Sequence, residues 1–316
     1  MASAITSFIV SIIMAILSIF GIGSGSGGDN GGGISAPVNT TPTGYDISVD
    51  IEYGSDAQQK FDLVIPQGIG NTLSIAIFIH GGAWSYGDKS EETDMILPYA
   101  QEKHMISANI NYRLVKLDDG SVNCNVMLED INNAVTKIVQ VCRSKGYQIN
   151  KAMVWGKSAG AHLAMMYSYT YKNKSAVNIG LCYNICGPAN LTDTGFFKGN
   201  DIPVISMLTI FSRLAGRDIN LDNLVSAETS QALLAISPIS YINSSTVPTI
   251  FNYCGEDKKV FKSNGDTLEK ALKANGVDYY YSVFPNSGHC NRSSLDYLVC
   301  SEFDSKLDQM INKYVK

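Results

Sequence analysis

Five residues, Gly156-Lys157-Ser158-Ala159-Gly160, constrain this chain more than any others, because they join two segments of different period. Ahead of them, Ala152-Met153-Val154-Trp155 is an unbroken apolar run of the kind found in strands buried on both faces. Behind them, Ala161 to Tyr169 reads as a helix. A serine at such a strand-to-helix turn sits in strained backbone geometry, and flanking glycines leave room for neighbouring chain. Its Oγ lies at the positive end of a helix, where developing negative charge is favoured. The pentapeptide alone also fits an ordinary tight turn, and Gly-Lys-Ser invites comparison with a phosphate-binding loop. That loop needs a glycine five residues before the second one, where this chain has Lys151, and the residues between are strand formers. A nucleotide cradle is therefore disfavoured, and a nucleophilic serine is the expectation.

Acyl transfer by a serine needs three further parts. The first is a set of donors for the tetrahedral oxyanion, each worth on the order of 3 kcal/mol. Ile79-His80-Gly81-Gly82-Ala83-Trp84 follows the buried-strand pattern Ser74 to Phe78, and its glycines expose backbone N–H groups. The amides of Gly82, Ala83 and Ala159 are assigned to this oxyanion hole. The second part is a base, usually histidine. Of the four histidines, His80 belongs to the glycine motif, His104 ends a charged helix-like segment, and His162 falls on the helix behind the serine. His289, in the loop Pro285-Asn286-Ser287-Gly288-His289, is left as the base. The third part is a carboxylate that fixes the histidine tautomer, in the chain order Ser, Asp or Glu, His. Asp257 follows the strand pattern Thr249 to Cys254 and precedes His289 by 32 residues, room for one helix and one strand. Glu256 is the alternative acid.

With these motifs in place the chain resembles the α/β-hydrolase fold, and within it the esterases of the hormone-sensitive-lipase and feruloyl-esterase-like group. The resemblance rests on His80-Gly81-Gly82-Ala83-Trp84, Asn111-Tyr112-Arg113-Leu114, Gly156 to His162, and the Asp257 and His289 loops. It covers residues 45 to 316. It implies a structural ion pair between Arg113 and Asp130 behind the active site. Two departures stand out. Lys157 occupies the position where family members often carry Asp, Glu or His. Cys254 stands where a glycine of the usual Gly-x-x-Asp spacing would align, which keeps Glu256 in contention.

The remaining pattern fits one α/β catalytic domain over residues 34 to 316, with a mainly parallel eight-stranded sheet flanked by helices. Strands are expected near 46 to 53, 61 to 65, 74 to 79, 105 to 110, 153 to 156, 178 to 184, 249 to 254 and 279 to 284. Helical stripes run from Met127 to Val141, through Leu268, Ala271 and Leu272, and along Leu295, Val299, Phe303, Leu307, Met310 and Tyr314. Residues 190 to 236 break the alternation. Their stripe Ile205, Leu208, Phe211 and Leu214 predicts a helical lid that lines an acyl pocket over Ser158.

Residues 1 to 33 form a separate unit. Ile5 to Ile22 carries no charge and, at about 18 residues, sits at the lower edge of a membrane span, without the basic flank typical of a signal peptide. The glycine- and serine-rich run Gly21 to Gly33 reads as a flexible tether or a processed junction. An exported or membrane-anchored protein is expected, attached through residues 5 to 22. The seven cysteines are odd in number and lack metal-ligand spacing, so no metal and no cofactor are called for. A net charge of −5 and a pI near 5.4 disfavour nucleic acid as a partner.

The expectation is a serine esterase in which Ser158, His289 and Asp257 cleave small-molecule carboxylic esters of short or medium acyl chains or of sugars. Two alternatives remain: an amidase, formamidase or peptidase with the same three residues, and a non-catalytic binding protein on a hydrolase scaffold.

Overall fold

The computed structural model describes residues 42–197 and 202–316. The apolar segment 5–22 and the glycine-rich run that follows it lie outside the described residues, so the anchoring expectation falls there too. Among the described residues no helix is long and apolar enough to cross a membrane.

Eight strands form one sheet: β1 (Gly44–Glu52), β2 (Lys60–Gln67), β3 (Thr72–Ile79), β4 (Ile106–Ile110), β5 (Gln148–Lys157), β6 (Ile179–Ile185), β7 (Thr249–Cys254) and β8 (Tyr279–Phe284). Their spatial order is β1-β2-β4-β3-β5-β6-β7-β8. β2 runs antiparallel to both β1 and β4, and every other pairing is parallel. All eight expected strands are present, each within a few residues of its reading from the sequence.

Side chains alternate across the sheet, as the period of a strand requires. Ile75, Ile77 and Ile79 of β3 and Val154 of β5 face one layer, and Ala76, Phe78, Met153 and Trp155 face the other. The first layer contains α2 (Cys124–Ser144) and α3 (Ala159–Thr170). The second contains α1 (Thr93–Gln101) and the C-terminal helix α7 (Tyr297–Tyr314). Between them in sequence lie α4 (Val204–Ala215), α5 (Ala227–Ala235) and α6 (Ser263–Ala274).

Local chemistry marks the helix ends. Asn123 caps α2 by accepting from Val126 N, and Gly146, at φ +86°, follows its last turn as a left-handed stop. The stripe read on the C-terminal segment holds from Phe303 onward, where Phe303, Leu307 and Met310 are buried. Leu295 departs from it, because it precedes α7 on a 3-10 turn and stays 78% exposed.

Parallel strands put their carboxyl ends on one edge of the sheet, which is where ligands of open α/β sheets bind. The loops after β3, β5, β7 and β8 all emerge there, and they carry every candidate residue named above.

Candidate active site

Ser158 stands between β5 and α3 at φ 54°, ψ −124°, a conformation costing on the order of 1–3 kcal/mol for a residue with a side chain. Bonds on either side hold it there. Its amide donates to Ile185 O of the neighbouring strand (2.8 Å), and its carbonyl accepts from His162 N in the first turn of α3 (3.1 Å). Close packing explains the second glycine of the pentapeptide, since a Cβ on Gly160 would fall 2.1 Å from Ile79 O.

Ser158 Oγ lies 2.8 Å from His289 Nε2, and His289 Nδ1 lies 2.7 Å from Asp257 Oδ2. The three side chains thus come together from the ends of β5, β7 and β8. Asp257 is buried, and its second oxygen accepts from the amides of Lys259 (2.8 Å) and Val260 (3.0 Å). These bonds fix the carboxylate before it meets the imidazole. Its acceptance from Nδ1–H leaves the Nε2 lone pair toward the serine hydroxyl. Glu256, the alternative, is exposed, and its amide donates to Ser287 O.

The turn after β3 abuts the serine: a Cβ on Gly81 would lie 3.3 Å from Ser158 Cβ. Gly82, Ala83 and Trp84 follow with φ of 108°, 45° and 59°, and the carbonyl of Gly82 accepts from the amides of Ser85 and Tyr86. Only glycine fits at 82, where a Cβ would meet Tyr86 O at 2.0 Å. Gly82 and Ala83 line the same cavity as Ser158, and Ala159 is the buried first residue of α3.

Bracing of this turn accounts for the Asn111-Tyr112-Arg113 motif. Tyr112 stacks on His80 with centroids 4.5 Å apart and donates to His80 O (3.0 Å). Asn111 donates to Asp88 Oδ2 (2.6 Å) and accepts from Lys89 N (2.6 Å), closing the far side of the loop. Arg113 makes a forked ion pair with the fully buried Asp130, which also accepts from Gln59 Nε2. On the other flank, Trp84 Nε1 donates to His162 Nδ1 (3.1 Å), so His162 Nε2–H donates to Ile236 O (2.8 Å). Burial pushes the imidazoles of both His80 and His162 down to about 4. Both are neutral braces at physiological pH, leaving His289 as the histidine that meets the serine.

A clamp that no motif announced holds the histidine loop. The buried carboxylate of Asp296, at the head of α7, accepts from Ser287 Oγ (2.5 Å), Asn286 N and Asn286 Nδ2. Burial opposes its ionisation, but these donors outweigh it and hold the carboxyl below its ordinary range. Ser287 Oγ also accepts from Ser293 N. Sequence offers little signal here, because nine residues separate two common side chains.

The cavity over Ser158 measures about 230 Å³. Its apolar wall includes Phe196, Ile202 and Met207 from the 190–236 insertion, with Pro188 and Val260. The stripe expected to line it goes elsewhere. Leu208, Phe211 and Leu214 are buried in the main core, where Phe211 packs edge-on against Trp84, Phe196 and Phe197, and Ile205 is 64% exposed. The insertion reaches the site through Met207 of α4 and through Phe196 and Ile202 ahead of that helix.

The BD-FAE family profile aligns with residues 61–272. Kynurenine formamidase of Salmo salar is 22% identical over 252 residues, covering 77% of this chain and 74% of that protein. The crystal structure of esterase B from Lactobacillus rhamnosis (HN001) superposes with a TM-score of 0.67 at 16% identity, covering 99% of this chain and 96% of the other. A truncated carbohydrate esterase from gut microbiota superposes at 0.66 with 15% identity, covering 85% and 98%. By its sequence profile, and with the α/β-hydrolase fold that these structures share, the chain belongs to the BD-FAE family.

Proposed function

We propose that this protein is a serine hydrolase of carboxylic esters, with Ser158 as nucleophile, His289 as general base and then general acid, and Asp257 as its orienting carboxylate. One observation carries the reading: an unbroken hydrogen-bonded series from Asp257 through His289 to Ser158 Oγ, in a cavity with an apolar wall. As Oγ attacks the ester carbonyl, its proton passes to His289 Nε2, and Asp257 stabilises the imidazolium. The amides of Gly82, Ala83 and Ala159 receive the oxyanion. Collapse expels the alcohol, which takes the proton from Nε2, and water then cleaves the acyl-enzyme by the same route. A cavity of this size with one apolar wall suits short or medium acyl groups. Similarity to esterase B and to a carbohydrate esterase supports esters of small alcohols or sugars as substrates.

p-Nitrophenyl acetate should give a burst of nitrophenol followed by slower turnover. Ser158→Ala should lose at least about 10⁴-fold in rate together with the burst. An unchanged rate in that variant overturns the assignment. A fluorophosphonate probe should label Ser158, and lack of labelling would favour the non-catalytic binding protein. The similarity to kynurenine formamidase supports a second reading, an amide or formamide substrate at the same residues. Matched ester and anilide substrates separate the two, the first reading requiring the larger kcat/KM for the ester.

A further inference from the structure

None of the seven cysteines is disulfide-bonded, yet three gather where β6, β7 and β8 end. Cys186 Sγ lies 3.5 Å from Cys254 Sγ and is coupled electrostatically to the thiol of Cys290, which reaches the peptide carbonyl just ahead of Cys186. The cluster is fastened to the histidine loop from two sides. Cys254 Sγ donates to Asn291 O (3.7 Å), and Cys290 Sγ donates to Ile185 O (3.6 Å), the same carbonyl that accepts from Ser158 N. Cys186 and Cys254 are buried. Cys290 is half-buried, follows His289 directly and lines the cavity over Ser158. Cys186 and Cys290 both hold left-handed backbone, at φ 50° and 57°, so each is locally strained.

We propose that Cys290 and Cys186 form an oxidation site, at which a peroxide reaching the cavity converts the two thiols to a disulfide that draws His289 away from Ser158. The Cys290 thiol gives up its proton and the thiolate attacks one peroxide oxygen; the O–O bond breaks, the departing hydroxide takes up that proton and leaves as water, and sulfur becomes a sulfenic acid. Cys186 then attacks that sulfur. The S–S bond forms as the S–O bond breaks, the oxygen departs with a proton as a second water, and the two thiols have together lost two hydrogens to the peroxide. Bonded sulfurs sit about 2.05 Å apart, well inside the non-bonded contact of two thiols, so closing the bond moves the Cys290 backbone. His289 is its neighbour in the chain, and a displacement of about 1 Å costs a catalytic constellation on the order of 10²-fold.

The effect on rate rests on the esterase reading, but formation of the bond does not, and the test reads them separately. The folded full-length protein is exposed to hydrogen peroxide, denatured, blocked with iodoacetamide and digested for mass analysis. The peptides of Cys186 and Cys290 should be found joined and two hydrogens lighter than the free pair. Hydrolysis of p-nitrophenyl acetate should fall about tenfold or more in step with the crosslink and return with dithiothreitol. In Cys186→Ser the crosslink should be absent, and dimedone should trap a sulfenic acid on Cys290. Full alkylation of both cysteines after peroxide, or a crosslink of Cys186 to Cys254 instead, would overturn the site. Linked protein that hydrolyses the ester at the untreated rate would overturn its coupling to His289.

Discussion

Asp257 and Glu256 are adjacent carboxylates with opposite surroundings, and this difference separates their roles in a way spacing could not. Asp257 is buried, with two amides on one oxygen and His289 on the other, whereas Glu256 is exposed to water. Asp257→Asn should lower kcat by about 10⁴-fold, because an amide cannot hold both the loop amides and the productive imidazole tautomer. Glu256→Gln should stay within about twofold, since an exposed side chain away from the imidazole has little to contribute. Steady-state kinetics on the pair check this, and a large loss confined to the Glu256 variant would reverse the assignment. The proposed nucleophile and base, Ser158 and His289, could be picked out in the sequence because each follows a strand with glycine beside it. The acid was ambiguous because Cys254 replaces the glycine that would have set the register.

At the scale of elements, α4 shows where periodicity stops being informative. A stripe at helical spacing identifies a buried face without saying what buries it, and here Phe211 and Met207, four residues earlier, both pack in the main core while Met207 alone of the two also lines the cavity over Ser158. Phe211→Ala should cost about 3–5 kcal/mol of stability by denaturant titration, as for a large aromatic removed from a packed interior. Met207→Ala, also taken from the core, should cost about 2–5 kcal/mol and in addition shift preference toward longer acyl chains on a panel of p-nitrophenyl esters. The idea fails if Phe211→Ala shifts the chain-length preference and Met207→Ala does not. Likewise β2 could not be told from a parallel strand: Phe61-Asp62-Leu63-Val64-Ile65 is buried along nearly its whole length. Its inward carboxylate, Asp62, pairs with buried Lys89 at 2.7 Å, a long-range partnership that no local pattern displays.

Across the whole molecule, the two buried histidines make stability depend on acid. Both are neutral in the fold with pKa values pushed to about 4, whereas the unfolded chain takes up a proton on each near 6.5. The unfolded state therefore gains protons first, and stability should fall as pH drops through the window from about 6.5 to about 4. The loss should approach about 3 kcal/mol per histidine. Urea midpoints at pH 7.5 and 4.5 measure it, and His162→Gln, which cannot titrate, should shallow the slope. Equal midpoints would dismiss the effect. The Asp296 clamp has a different reach. The C-terminal helix starts with the very carboxylate that tethers the loop of His289, so fraying at that helix head would let the imidazole wander while the sheet stayed paired. Rising denaturant should then silence turnover before circular dichroism registers any melting, which makes competence for catalysis a more fragile property than being folded.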